Sequence, residues 1–395
     1  MRSGGLVSRS RPAAEELPEA EAELLHFIAE APWEDAPAAV APASAARAED
    51  PFSALALRSF RLQCEAIPEY GAYARHLGRG PDQVRDWRDI TPVPASAFQS
   101  HDLSAAPPGS GLTFETSGTT ISLPGRIRIS STRLYETSLL RNFTRHLLPD
   151  GPRLPALIFG PKRLEAPRSS LWFMAEHVVA ERCAGASWVV LAGEPRWDRA
   201  DTVLQRSVEE GRPLLLLGTT LLFQAYFARC DVKGIRFALP PGSRAMDTGG
   251  AKGAVVEIKR EDVLASFERV LGLPATHLVN EYGMAEMGSQ FYEDSLLPAR
   301  ERRESMPGFA IPPWVRTRAL DPETMRECPE GESGVLVHYD LANLEIPLAI
   351  QTADVGAVTR GRLLLEGRFP EAERRGCSLP FERFFERERA AGGNR

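Results

Sequence analysis

The sequence predicts an α/β fold with a substantial parallel component, and three observations carry that expectation. Short apolar runs recur after Gly111, at 154–159, 187–191, 214–217, 235–238, 276–280, 335–339 and 363–366. Helical patterns lie between several of them, at 133–148, 199–210 and 260–271. The chain has 395 residues, 43% of them apolar, enough for one large α/β domain or two ordinary ones. Strands that alternate with helices in this way read as a largely parallel sheet.

From the N-terminus, residues 1–50 are rich in Ala, Pro and Glu. Positions 14–31 predict a short helix, and 36–48 reads as a flexible linker. Phe52, Leu55, Leu57, Phe60, Leu62 and Ile67 recur at near-helical spacing, followed by Tyr70, Tyr73 and Leu77. Residues 51–79 therefore read as two helices. The stretch from Trp87 to Pro94 reads as an extended, proline-punctuated link. Residues 380–391 are charged and aromatic and predict a terminal helix with a frayed end.

The formal net charge is -6 and the arginines are scattered among glutamates, which argues against a nucleic-acid partner. Cys64, Cys183, Cys230, Cys328 and Cys377 lie far apart with no CxxC pair. Neither a disulfide framework nor a zinc site is expected, and a reducing cytoplasm fits. Residues 1–50 lack a signal-peptide run, and no apolar stretch is long enough to predict a membrane span. The lysines are Lys162, Lys233, Lys252 and Lys259, so any catalytic lysine must be one of these.

Three segments carry candidate chemistry. In Thr113-Phe-Glu-Thr-Ser-Gly-Thr-Thr120, hydroxyls cluster around one glycine. Gly118 permits a tight turn whose N–H groups and hydroxyls can surround phosphate oxygens. No Walker lysine follows, and a polar turn is the plain alternative. Asn280-Glu-Tyr-Gly-Met-Ala-Glu286 follows a predicted strand, at the edge where open α/β sheets bind ligands. There Glu286 suits Mg²⁺ and Tyr282 offers an aromatic face to a base; a surface turn is the alternative. Ile350-Gln-Thr-Ala-Asp-Val-Gly356 places Asp354 where ribose hydroxyls can be bonded; a hairpin turn is the alternative.

In this order, with Glu366-Gly-Arg368, the segments resemble the adenylate-forming superfamily of acyl-CoA synthetases, adenylation domains and luciferases. The chain is more closely similar to the acyl-protein synthetase (LuxE-like) branch known from bacterial bioluminescence. That resemblance rests on Phe60-x-x-Gln63, Ser169-Ser-Leu171, Gly218-Thr-Thr220, Asp247-Thr-Gly-Gly-Ala-Lys-Gly253, Glu281-Tyr-Gly-Met-Ala-Glu-Met-Gly-Ser-Gln290 and Arg375-Gly-Cys-Ser-Leu379. It runs from about Pro51 to Leu379.

The resemblance implies ATP and Mg²⁺ as cofactors. Thr116, Ser117, Gly118, Thr119 and Thr120 match the loop holding the β- and γ-phosphates, with Thr116 also counted as catalytic. Glu286 matches the Mg²⁺-linked glutamate. Asp354 and Arg368 match the ribose contacts, and Tyr282, within Glu281-Tyr282-Gly283, matches the aromatic residue that stacks on adenine. Gly249 and Gly250 match the segment lining the acyl and adenine pockets, and Lys252 beside them is a candidate for a phosphate or carboxylate contact. The implied architecture is a flexible or partly helical extension at 1–50, a helical part at 51–110, an adenylation core at 111–362 and a short C-terminal segment at 363–395. The layered mixed sheets would belong to the superfamily's large N-terminal domain, without a full C-terminal lysine-bearing domain.

Departures from the superfamily pattern are Ala285 in place of Thr, Ile121 in place of Gly after the loop, and Ala353 in place of Gly before Asp354. With no lysine after Lys259, a partner, an arginine or a slower reaction must replace the superfamily's C-terminal lysine.

Cys377 follows Arg374 and Arg375, and Ser378 and Pro380 favour a helix start beside it. Both neighbours and helix N-terminus favour thiolate. Cys377 matches the acyl-carrying cysteine of the acyl-protein synthetases, which implies activation of a fatty or related acid as acyl-AMP and transfer to this thiol. An acyl reductase, an acyl carrier protein or CoA is the implied partner. The alternatives are a truncated acyl- or aryl-CoA ligase, a carrier-loading enzyme, or a degenerate nucleotide-binding scaffold.

Overall fold

The computed structural model describes residues 13–33, 50–107, 109–116, 124–249, 258–298, 307–368, 381 and 383–386. The first part runs α1 (Ala13–Glu30), α2 (Pro51–Ala66), α3 (Pro68–His76), β1 (Val93–Pro94), β2 (Leu112–Glu115), β3 (Arg126–Ile129) and α4 (Arg133–Leu147). Then come β4 (Ala156–Phe159), α5 (Ser170–Arg182), β5 (Ala186–Trp188), β6 (Val190–Leu191), β7 (Glu194–Pro195), α6 (Trp197–Glu210), β8 (Leu215–Thr219) and α7 (Thr220–Lys233). β9 (Arg244–Thr248), α8 (Arg260–Leu271), β10 (Leu278–Tyr282), β11 (Phe291–Tyr292) and β12 (Phe309–Ala310) follow. The last strands are β13 (Val315–Leu320), β14 (Gly334–Asp340), β15 (Ala349–Thr359) and β16 (Arg362–Arg368).

One sheet takes the order β13-β14-β15-β16-β12-β11-β10-β9-β8-β4-β5, with β1 beside β15. From β5 to β10 neighbouring strands are parallel. From β10 to β13 they are antiparallel. Parallel neighbours need a crossover, and α5, α6, α7 and α8 supply it between successive parallel strands. This is an α/β fold with a large mixed sheet.

Local chemistry sets the helix ends. Asp50 accepts the backbone N–H of Phe52 at 3.1 Å and Pro51 opens α2. α6, α7 and α8 stop at Gly211, Gly234 and Gly272, each left-handed. In the parallel half both sheet faces are covered. Leu157 and Phe159 of β4 enter one core with Phe223 and Phe267, while Ala156 and Ile158 enter the other.

One expected strand is absent, and several strands were not foreseen, β9 and β13 of the main sheet among them. Residues 235–238 are not a strand: they follow the left-handed stop at Gly234, and Phe237 N–H donates to the carbonyl of Val270 at 2.8 Å. The sheet position belongs to β9, whose Arg-Ala-Met-Asp-Thr sequence lacks an apolar run. Its charges are buried because they are answered: Arg244 bonds Asp150 at 2.6 Å, and Asp247 bonds Arg260 at 2.8 Å.

Both ends of the described chain join the main core. Ala20, Leu24 and Ile28 of α1 are buried in it. Arg141 of α4 donates to the carbonyls of Ile28 and Ala31, and Trp33 packs edge-on to Trp314 at 5.5 Å. At the other end Phe381 meets the Tyr73 ring at 4.8 Å and Phe385 meets His101 at 4.4 Å. Among the described residues no helix is long and apolar enough to cross a membrane.

Candidate active site

The parallel strands β8, β9 and β10 end together, at the sheet edge that in open α/β folds receives ligands. After β8, Thr220 donates its hydroxyl to Asp247 at 2.8 Å. After β9 comes Gly249 with φ of 78°, a left-handed conformation that excludes most side chains. β10 ends in Glu281 and Tyr282, and Glu281 is the register partner of Thr248. The Thr248 hydroxyl donates to the Glu281 carboxylate. Gly249, Glu281, Tyr282 and Gly283 are thereby brought to one edge.

Tyr282 joins this edge to the antiparallel half. Its hydroxyl donates to Asp354 Oδ2 at 2.8 Å, and Arg368 Nε lies 3.6 Å from Asp354 Oδ1. Asp354 and Arg368 are opposite each other in the β15–β16 ladder, so register alone makes them neighbours. Asp354 lies within β15, not in a hairpin turn. Burial, reinforced by the Asp354 carboxylate, holds the Tyr282 hydroxyl well above its ordinary pKa, so it remains a donor. Its ring packs on Phe291, Phe309 and His338. Burial pushes His338 down to about 3, which keeps it neutral beside Thr317 and Tyr282.

Glu286 is buried in the turn after β10. The side-chain amide of Asn343 braces that turn from both sides: Nδ2 donates to the Glu286 carbonyl and Oδ1 accepts the Gly288 N–H, each at 2.9 Å. Gly288 must be small here, since a Cβ would lie 2.7 Å from the Ala342 Cβ. Gln63 of α2 anchors the bracing loop in turn. Its Nε2 donates to the carbonyls of Asn343, Leu344 and Ile346, and its Oε1 accepts the Leu348 N–H at 3.0 Å.

Thr116 lies at the base of the β2–β3 hairpin loop. Its N–H donates to the Gly125 carbonyl at 2.9 Å, and its hydroxyl accepts the Gly125 N–H at 2.8 Å. Ser117, Gly118, Thr119 and Thr120 follow this pinned base in sequence; with Gly250, Lys252 and Cys377 they lie outside the described residues.

The residues present fit a nucleotide with a divalent cation. Asp354 and the half-exposed Arg368 offer an acceptor and a cationic donor beside the buried Tyr282. Among the described residues no cluster of three His, Cys, Asp or Glu side chains is arranged to hold a metal by itself. A single carboxylate such as Glu286 suits Mg²⁺ whose other ligands are phosphate and water.

The model of the acyl-protein synthetase LuxE family matches residues 43–385. The chain belongs to this family. It is 24% identical over 334 residues to the long-chain-fatty-acid–luciferin-component ligase of Vibrio harveyi, across 80% of this chain and 83% of that protein. A ligase of the same name from Aliivibrio fischeri is 35% identical over 77 residues, which are 20% of this chain and 18% of that one. An open conformation of 2-hydroxyisobutyryl-CoA ligase, in complex with 2-HIB-AMP and CoA, shares the fold with a TM-score of 0.57 at 16% identity. That likeness covers 80% of this chain and 74% of the other. As a LuxE family member, the chain is an adenylate-forming ligase of the acyl-protein synthetase kind.

Sequence reasoning missed the residues that hold the site in shape. Asn343 went unnoticed, and Gln63 entered only as part of a motif. Gln63 meets Asn343 across 280 positions and Asn343 meets Glu286 across 57, and a lone amide has no period to mark it.

Proposed function

We propose that this chain uses Mg-ATP to activate a fatty or related carboxylic acid and then passes the acyl group to a thiol, its own Cys377. The observation that carries the reading is the convergence of Tyr282, Asp354 and Arg368 at the sheet edge that also bears Glu286. The family membership and the names of the two bacterial ligases support it.

In this reading Asp354 accepts bonds from the ribose hydroxyls and Arg368 adds a donor. Tyr282 fixes the Asp354 carboxylate and offers its ring to adenine. The loop from Thr116 to Thr120 surrounds the β- and γ-phosphates, and Gly249 and Gly250 leave room for acid and base. Glu286 holds Mg²⁺, which would supply positive charge against the phosphates; Lys252 is a further candidate contact. An oxygen of the acid's carboxylate bonds to the α-phosphorus while the bond to the bridging oxygen breaks, and pyrophosphate leaves with that electron pair. No base is required, because the acid is already ionised at neutral pH. The Cys377 thiolate then attacks the acyl carbon, and AMP leaves as the thioester forms. An acyl reductase, a carrier protein or CoA would collect the acyl group, in a reducing cytoplasm.

Cys377 stands nine positions after Arg368 and four before Phe381 in the sequence. Arg368 lies 3.6 Å from Asp354, and Phe381 packs against Tyr73. ATP–pyrophosphate exchange across a panel of acids tests the first step, and exchange with at least one acid is expected. Labelling with that radioactive acid tests the second. Wild type should retain acid-stable label and Cys377→Ser should not; full labelling of the variant rejects the self-acylation step.

A further inference from the structure

A cavity of about 340 Å³ lies between α1, the β2–β3 hairpin, the turn after β10 and the loop after β14. Its volume is that of a small-molecule site. Leu17 of α1, Ala105, Phe114, Ile129, Ala285 and Ile346 line it, all apolar. Two of these walls have a second meaning. Phe114 is two residues before Thr116, where the hydroxyl-rich loop departs, and Ala285 immediately precedes Glu286. The cavity therefore lies beside the stems of the two segments that the reading above assigns to phosphate and Mg²⁺.

The polar groups at its exposed side are already engaged. Glu345 accepts the N–H groups of Ser130 at 2.6 Å and Ser131 at 3.1 Å. Glu21 of α1 pairs with Arg133 at 2.9 Å and accepts the Ser131 hydroxyl. A polar substituent inside the cavity would lose water without gaining a partner, whereas a hydrocarbon chain gains from leaving water. The Glu345 carboxylate, bonded to neutral N–H groups, also disfavours a second negative charge at the far end of the ligand.

We infer that this cavity holds the hydrocarbon chain of a monocarboxylic acid. Its carboxylate lies at the Ala285 end and its tail against Leu17, so that α1 sets the chain length accepted. The inference rests on the adenylation reading above and adds to it a wall from outside the family-matched residues 43–385. α1 ends before that match begins.

The test is ATP–pyrophosphate exchange with straight-chain acids of graded length and with dicarboxylic acids of matching length. It is run on the full chain, on Leu17→Trp and on Ala105→Phe, which narrow the cavity from different walls. Each variant should raise KM for the longest acid accepted by wild type about tenfold or more per methylene excluded, while KM for ATP stays put. Dicarboxylic acids should exchange at least tenfold less than their monocarboxylic counterparts. An unchanged length profile in both variants, with normal KM for ATP, overturns the cavity assignment and leaves adenylation standing. Equal exchange of dicarboxylic acids overturns the orientation of the chain. Failure of every acid in wild type removes the adenylation reading and this inference with it.

Discussion

In the parallel half of the sheet buried charge is answered by the protein itself. Asp247 is bonded by Thr220 and Arg260, Arg260 also reaches Glu293 at 2.6 Å, and Arg244 pairs with Asp150. The antiparallel half has a closed pair too, Arg362 with Asp294 at 2.7 Å, but it also holds charges that are left partly open. Arg368 is 42% exposed at 3.6 Å from Asp354, and Asp340 keeps one buried oxygen without a hydrogen-bond partner. The contrast teaches where to look for function. Charges closed on each other hold the fold, whereas a carboxylate and a cation left half-engaged at a strand's edge await something else.

Three substitutions sharpen or break this contrast. Asp354→Asn should have the largest effect, about 100-fold or more in pyrophosphate exchange, with an unchanged urea midpoint. Retained exchange would make Asp354 another structural carboxylate and erase the distinction. Arg260→Ala should do the reverse. It strands Asp247, which is 1% exposed, and should lower unfolding free energy by about 3 kcal/mol in urea titrations. A stable Arg260→Ala protein would show that the parallel half does not depend on its closed pairs.

The smallest effect belongs to Asp340. Burial raises its carboxyl to about 6, against the partial opposition of bonds from Ala342 N–H and the Ser289 hydroxyl. A raised folded pKa means that the native state holds the proton more tightly than the unfolded chain does. This contribution is therefore fully present below the unfolded value of about 4 and is lost as pH rises through about 6. Relative to Asp340→Asn, wild type should lose roughly 2 kcal/mol of stability between pH 4 and 7. Parallel pH profiles for the two proteins would remove Asp340 as the source.

Much of the fold was readable in the sequence because hydrophobic period reports burial directly. The helix expected at 133–148 is Arg133–Leu147, and that expected at 260–271 has those bounds. The strand Arg244–Thr248 was not readable, since its polar residues are buried by partners elsewhere in the chain. The strand wrongly expected at 235–238 shows the converse: an apolar run can pack beneath a helix end without joining a ladder. At the candidate site, residue type and motif order pointed to Tyr282, Asp354 and Arg368, but not to how they meet. Asp354 faces Arg368 through strand register, and Tyr282 reaches them across the junction of the two sheet halves. Asn343 was invisible because its importance is a pair of backbone bonds that exist only after the chain has folded.

α1 gives one further lesson. Its inward face is buried with the main core, and its final carbonyls are held by Arg141, yet it stands outside the residues that the family model matches. The boundary of an inherited sequence pattern and the boundary of a cooperative unit are thus different places. A protein trimmed to the family's limits would expose the surface that α1 covers and leave the Arg141 guanidinium without those acceptors. Descent, as drawn by resemblance, underestimates here how much chain must melt together.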